Sequence, residues 1–268
     1  MLDTSKIAIL TTVANFDLYH RNSKLFPKGI TKYVIDGTNG MHGIHSIYYM
    51  FKRLSKAPID WLILADEDLV FVDANRVFNL IETMASNAIS VCGVRDGGVV
   101  KHRTYNPHVI NTFFTVLNFK EILQIYDEKE VKRHQYITEG EFDLKTDLLA
   151  YDYDEMSLYE PYYCFFLWLL RKGKKLYYLD SKMHDDITNV GFFEGDPLFY
   201  HTWYARAYNI NEKHTKRINA VLAICDDRKS LDDEENSTDG YKLFKDRFFA
   251  KRQKLLKLQR RLINRLRV

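Results

Sequence analysis

Three consecutive acids, Asp66, Glu67 and Asp68, stand directly behind an apolar run in the stretch WLILADEDLVF, residues 61–71. Two carboxylates one residue apart, fixed at the end of a buried strand, can converge on a divalent cation through hard oxygen ligands. A cation held by so few side chains keeps positions open for phosphate oxygens. That chemistry suits a nucleotide diphosphate whose charge must be neutralised as it leaves. A second acidic cluster, YDYDEMSLYEPYY at residues 151–163, sets Asp152, Asp154, Glu155 and Glu160 among tyrosines. Carboxylates so placed can take a proton from a hydroxyl.

The elements that must position these acids are legible in the apolar pattern. Residues 7–13 (IAILTTV) read as a buried strand, 32–35 (KYVI) as a second and 61–65 (WLILA) as a third that ends at the acids. Residues 88–94 (AISVCGV) make another. Between them, residues 42–54 carry Ile44, Ile47, Met50, Phe51 and Leu54 at helical spacing. Residues 73–84 do the same with Val77, Leu80, Ile81 and Met84, and Asp73 is the expected N-cap. Alternating strands and helices predict an α/β fold, a Rossmann-type, mostly parallel sheet flanked by helices. Ligands of such sheets bind outside the carboxyl ends of the strands, which is where the acids lie.

The later half predicts a strand running into a helix over 111–126. A buried helix follows over 161–173, with Pro161 in its first turn and Gly173 as its stop. Residues 175–180 read as a further strand.

Strand, acids and the preceding βαβ half together resemble the GT-A glycosyltransferases with their Asp-x-Asp motif, over roughly residues 5–205. The resemblance implies a metal-dependent transfer of a sugar from a nucleotide-diphosphate donor, a UDP-sugar as first choice, to a saccharide acceptor. It implies that Asp68 binds Mn²⁺ or Mg²⁺ and that Asp66 orients the metal near the donor, with Glu67 beside it. His201 in PLFYHTWYAR would complete the metal shell. Thr11 and Val13 would line the nucleoside pocket, and Asp36 would contact the base. If the reaction inverts the sugar's configuration, Glu160 at the head of the 161–173 helix would be the base, with Asp154 and Glu155 as the other choices. A retaining reaction needs none of them.

Each residue also has an ordinary structural use: a capped turn for the acids, a core edge for His201, a turn before Gly37 for Asp36 and helix-dipole complementation for Glu160. Two other readings fit part of the pattern. Asp66 and Asp68 could open a haloacid-dehalogenase-type phosphatase, whose later acid would fall at Asp196. The chain could also be a carbohydrate- or membrane-binding module without catalysis.

Composition narrows the remaining possibilities. Apolar residues make up 46% of the 268 and aromatics 14%, which excludes a disordered chain. No apolar run approaches the roughly 20 residues of a membrane span. The N-terminal stretch lacks a signal-peptide pattern, and three widely spaced cysteines form neither a disulfide framework nor a zinc motif. A cytoplasmic protein is expected, peripheral on the inner face of the membrane if its tail binds lipid.

Charge is segregated along the chain. Residues 226–240 hold seven acids and two bases, an acidic linker, whereas residues 241–268 hold eleven Lys/Arg and one acid. The sequence predicts a catalytic domain over 1–225 followed by this linker and a basic amphipathic helix from Tyr241. The apolar stripe of that helix runs through Phe244, Phe248, Leu255, Leu258, Leu262 and Leu266. The tail fits an anionic membrane surface, or a helix packed on the catalytic body or on a second subunit; nucleic acid is not expected, because no recognition motif accompanies the charge.

Overall fold

A computed structural model describes residues 2–147, 149–226 and 240–266; the acidic linker at 227–239 lies outside the described residues. In chain order the elements are β1 (Ile7–Val13), α1 (Phe16–Asn22), β2 (Thr31–Asp36), α2 (Ile44–Leu54), β3 (Trp61–Ala65), β4 (Leu69–Phe71) and α3 (Arg76–Ser86). β5 (Val91–Arg95), β6 (Gly97–Val100), β7 (Arg103–Thr104), β8 (Ile110–Asn118), α4 (Phe119–Ile125) and α5 (Glu128–Lys132) follow. The chain continues with α6 (Tyr163–Arg171), β9 (Leu176–Tyr178), β10 (Asp180–Met183), β11 (Asn189–Phe193), β12 (Asp196–His201), α7 (Glu212–Asp226), β13 (Tyr241–Phe244) and α8 (Phe249–Leu266).

The main sheet has seven strands in the order β13-β2-β1-β3-β8-β5-β9. All its pairs are parallel except the two made by β8, which runs antiparallel to β3 and to β5. The α/β class and the mostly parallel sheet read from the sequence are therefore observed. Alternate residues of β3 go to different cores, as a period of two requires. Leu62 and Leu64 pack with α2 and α6, while Trp61, Ile63 and Ala65 pack with α3 and a second sheet.

That second sheet, β10-β11-β12-β4, is antiparallel, and the sequence pattern did not predict it. Its strand β4 is the short Leu-Val-Phe directly after the acids, paired with β12 so that Leu69 faces His201.

Helix α6 is buried on all sides from Tyr163 to Leu169. Each large apolar side chain fully removed from water there contributes about 1.5–3 kcal/mol. Gly173 stops it at φ +69, the left-handed conformation that glycine adopts without a Cβ clash.

Two local expectations shift. Helix α3 starts at Arg76 rather than Asp73, because the Asp73 side chain accepts from the Asn75 N–H and holds a turn ahead of the helix. The tail does not begin as a helix at Tyr241. Residues 241–244 add a parallel strand to the open edge of β2, satisfying backbone groups that an edge leaves unpaired. Phe244 stacks on Tyr33 with centroids 5.5 Å apart, and the Arg53 guanidinium lies 4.7 Å over it. Cys92, Cys164 and Cys225 are buried, and none of them is in a disulfide.

Candidate active site

The Asp66–Asp68 turn occupies the junction of the two sheets. β3 delivers Asp66 to the carboxyl end of the main sheet, and β4 carries the chain at once into the second. The Leu69–His201 register then brings His201 against Asp68 across 133 residues of sequence, with Nε2 3.2 Å from Oδ1. One ligand atom from each of Asp66, Asp68 and His201 lies within 4.8 Å of the others.

The turn is pinned from several sides. Glu67 Oε1 accepts from the N–H groups of Ala14 and Asn15 at 3.0 and 3.2 Å, which fixes the end of β1. The Asn22 amide donates to the carbonyls of Glu67 and Leu69. Asp68 also accepts from the Ala205 N–H at 3.2 Å through Oδ2.

Electrostatics mark the cluster as crowded and recessed carboxyls that resist carrying their charges together. Burial first, then Asp68 and Glu67, push the Asp66 carboxyl well above its ordinary range, opposed by Arg206. Burial and Asp68 push Glu67 up to about 7, against the two N–H groups it accepts from. Among the described residues no donor satisfies the Asp66 carboxylate, and the buried His201 Nδ1 also lacks a partner. Two recessed carboxylates and an imidazole with spare ligand capacity fit a divalent cation of the Mn²⁺ or Mg²⁺ kind. Neither Asp66 nor Asp68 is tied to a lysine or arginine in an ion pair among the described residues.

These groups line a cavity of about 540 Å³ between the strand ends and α2. Its wall includes Leu10, Thr12, Ala14, Leu64, His42 and Ser46, and it is closed on the far side by residues 203–207. Trp203 and Tyr204 both adopt left-handed φ, +57 and +63, which is uncommon for bulky residues. The loop is held in this shape by neighbours: the Asn15 amide donates to the carbonyls of Ala205 and Tyr208, and Arg217 donates to that of Trp203. Its outcome is an arginine, Arg206, in the cavity wall facing the acids. Burial, with Arg206, keeps the His42 imidazole below its usual range and so uncharged at neutral pH.

Several expected residues stand elsewhere. Thr11 and Val13 do not line the cavity; Thr12 and Ala14 do, because successive side chains of β1 point to opposite faces and Val13 belongs to the core on the other side. Asp36 is turned away from the cavity: it accepts from the Thr38 N–H at 3.0 Å and pairs with Lys245 of the tail at 2.6 Å. Asp154 and Glu155 line a separate cavity beside His108, whose Nε2 is 3.2 Å from Glu155, so neither reaches the metal cluster. Glu160 is paired with Arg103 at 3.2 Å, just outside the cavity wall, and its charge is felt by His42. Asp196 is at the start of β12 in an ion pair with Arg76, far along that strand from His201, which leaves the phosphatase reading without its second acid.

Sequence reasoning missed Arg206, His42 and the role of Asn15. Arg206 follows His201 by five residues, and the parity of β1 was available in the sequence; the left-handed pair that aims Arg206 was not.

Neither a protein-family model nor a curated protein sequence matches this chain. Solved structures do. They include a Drosophila beta-1,4-galactosyltransferase 7 variant in complex with manganese, UDP-Gal and xylobiose, at 12% identity and TM-score 0.39 over 80% of this chain and 79% of that one. Mouse xyloside xylosyltransferase 1 is similar at 10% identity and TM-score 0.38, over 65% and 84%. A mannosyltransferase from Pyrobaculum calidifontis, in complex with GDP-Man and Mn²⁺, is similar at 7% identity and TM-score 0.33 over about half of each chain. The functional reading below rests on the geometry of the site itself.

Proposed function

We propose that this chain is a metal-dependent glycosyltransferase that moves a sugar from a nucleotide-diphosphate donor, a UDP-sugar first among them, to a saccharide acceptor on a lipid or a surface polysaccharide. The observation that supports it is the convergence of Asp66, Asp68 and His201 on one point in the wall of a cavity at the strand ends, with Arg206 opposite. The phosphatase reading lacks its second acid at this point, since Asp196 pairs with Arg76 at the other end of β12.

Asp66, Asp68 and His201 would hold Mn²⁺ or Mg²⁺, which when bound neutralises charge on the diphosphate. Arg206, exposed in the cavity wall, offers an always-charged fork to the same diphosphate. Thr12 and Ala14 leave room beside the strand end for the nucleoside, and His42 stays neutral where it can accept or donate a hydrogen bond. Of the three carboxylates considered as base, Glu160 stands next to the cavity and is the one to take the acceptor's proton if configuration inverts.

Titration calorimetry with UDP, GDP and CDP, each with and without Mn²⁺, tests the reading. Binding of one nucleotide that requires the metal, and that falls at least about 10-fold in Asp68→Asn and His201→Gln, is expected; loss of a single ligand typically costs at least that much. No binding of any of the three with either Mn²⁺ or Mg²⁺ overturns it. A screen of nucleotide sugars for metal-dependent hydrolysis then identifies the donor.

A further inference from the structure

Helix α8 leaves the body from the same rim of the sheet as the metal site. β13 runs parallel to β2, and β2 is parallel to β1 and β3, so all four end on one side. Lys245 ties the start of this exit to Asp36, and the Asn39 amide donates to the Asp246 carbonyl at 2.8 Å. Phe249 is buried against α2, 5.3 Å from His45. One face of α2 lines the active-site cavity through Ser46 and Ile47, with His42 just ahead of the helix, and the other meets the root of α8 through His45 and Tyr49. The helix is thus fixed to the site at its first turn.

Beyond that root it projects apolar and basic side chains together. Leu255, Leu258 and Leu262, at i, i+3 and i+7, are 60%, 53% and 59% exposed, with Ile263 beside them and Phe248 at the foot. Lys251, Lys254, Lys257 and Arg261 are exposed too, and among the described residues no carboxylate pairs with Lys254, Lys257 or Arg261. Residues 249–268 contain eight Lys/Arg and no acid. Water alone is a poor environment for that aliphatic row. A second copy of so basic a helix is repelled, and nucleic acid would leave the leucines wet. An anionic lipid surface satisfies both faces, with leucines entering the acyl boundary while Lys and Arg stems reach up to the headgroups.

We propose that α8 is a docking helix for an anionic bilayer surface, and that it holds the metal-site rim beside the membrane. The docking rests on the helix itself, independent of the transferase reading.

Sedimentation of the full chain with vesicles of phosphatidylcholine, alone or mixed with phosphatidylglycerol, tests it. The protein pellets with the anionic vesicles at low salt, stays in solution with the neutral ones, and is released as salt rises. Lys257→Gln with Arg261→Gln lowers the partition coefficient about 10-fold or more, since each basic side chain near the surface adds a several-fold factor. Leu258→Gln with Leu262→Gln lowers it comparably. Both variants keep the wild-type melting temperature and Mn²⁺ affinity, which separates this result from any failure of the active-site assignment. Wild-type protein that remains in the supernatant with anionic vesicles at low salt overturns the proposal. So does pelleting that neither variant reduces, or a dimer in solution that Leu258→Gln with Leu262→Gln dissociates while no vesicle binding occurs.

Discussion

Substituting Arg103 by methionine isolates the interaction that secures the ground beside the active site. Asp96 is fully buried, and its carboxylate receives the Arg103 Nε and Nη2 in a two-bond fork, both at 2.7 Å. The hydroxyls of Tyr162 and Tyr163 and the Asn111 amide also donate to it. Arg103 is itself 14% exposed in its side chain and bridges onward to Glu160. Methionine removes the guanidinium that lies 4.6 Å over the Tyr105 ring and, among the described residues, the only positive charge that Asp96 touches. Leaving a buried carboxylate without its partner costs about 3–5 kcal/mol, a large part of a total stability of roughly 5–15. The neutral donors around Asp96 bring the expected loss toward 3. Asp96→Asn costs less, because Arg103 retains Glu160. The double variant loses less than the sum of the two by at least about 1 kcal/mol, the coupling of groups in direct contact. Urea unfolding followed by tryptophan fluorescence measures all four corners of the cycle. An Arg103→Met protein within about 0.5 kcal/mol of wild type, or strictly additive losses, refutes the reasoning that this fork holds the β6–β7 hairpin to the head of α6.

Other outcomes follow from single positions. Gly191→Ala drives a Cβ to within 2.2 Å of the buried Phe199 ring, so overpacking lowers stability by about 1–3 kcal/mol in the same urea assay and weakens Mn²⁺ binding by shifting β12. Thr12→Val weakens nucleotide binding in calorimetry, whereas Thr11→Val, on the face away from the cavity, leaves it unchanged. Burial first, with nearby cations, holds His42, His45 and His102 below their usual range, and burial does the same for His108 despite Glu155. Below about pH 6.5 the unfolded chain binds protons that the folded chain refuses, so stability present above that pH is lost as pH falls. Asp66 and Glu67, both pushed up by burial, act in the opposite sense over the same range. The histidine contribution is therefore read in an Asp66→Asn, Glu67→Gln background, where melting temperature declines from pH 7 to pH 5; a flat profile there counts against these burials.

Much of the framework was open to sequence reasoning because it is written in local periodicity. The apolar runs at 7–13 and 61–65 became β1 and β3 with the expected limits, since a strand buried on both faces has to be apolar throughout. The five apolar residues read on the 42–54 helix are the ones buried in α2. The side-chain parity of β1 is equally local, and it turns Thr12 and Ala14, rather than the expected Thr11 and Val13, to the cavity. Asp36, with a glycine after it at a strand end, carries the same local signature as a ligand-binding acid, and only the returning tail with Lys245 assigns it to an ion pair.

Chemistry and framework thus divide between the two levels. Residue order alone put Asp66 and Asp68 at the carboxyl end of a buried strand, because hydrophobic alternation and a turn are short-range properties. The approach of His201, the antiparallel entry of β8, the clamp on residues 203–206 that aims Arg206, and the strand ahead of α8 all come from pairings between distant segments. Such pairings depend on register, and a slip of one residue would reverse every side chain. That register is set by what packs on both faces of the sheets at once, which no single stretch of sequence contains.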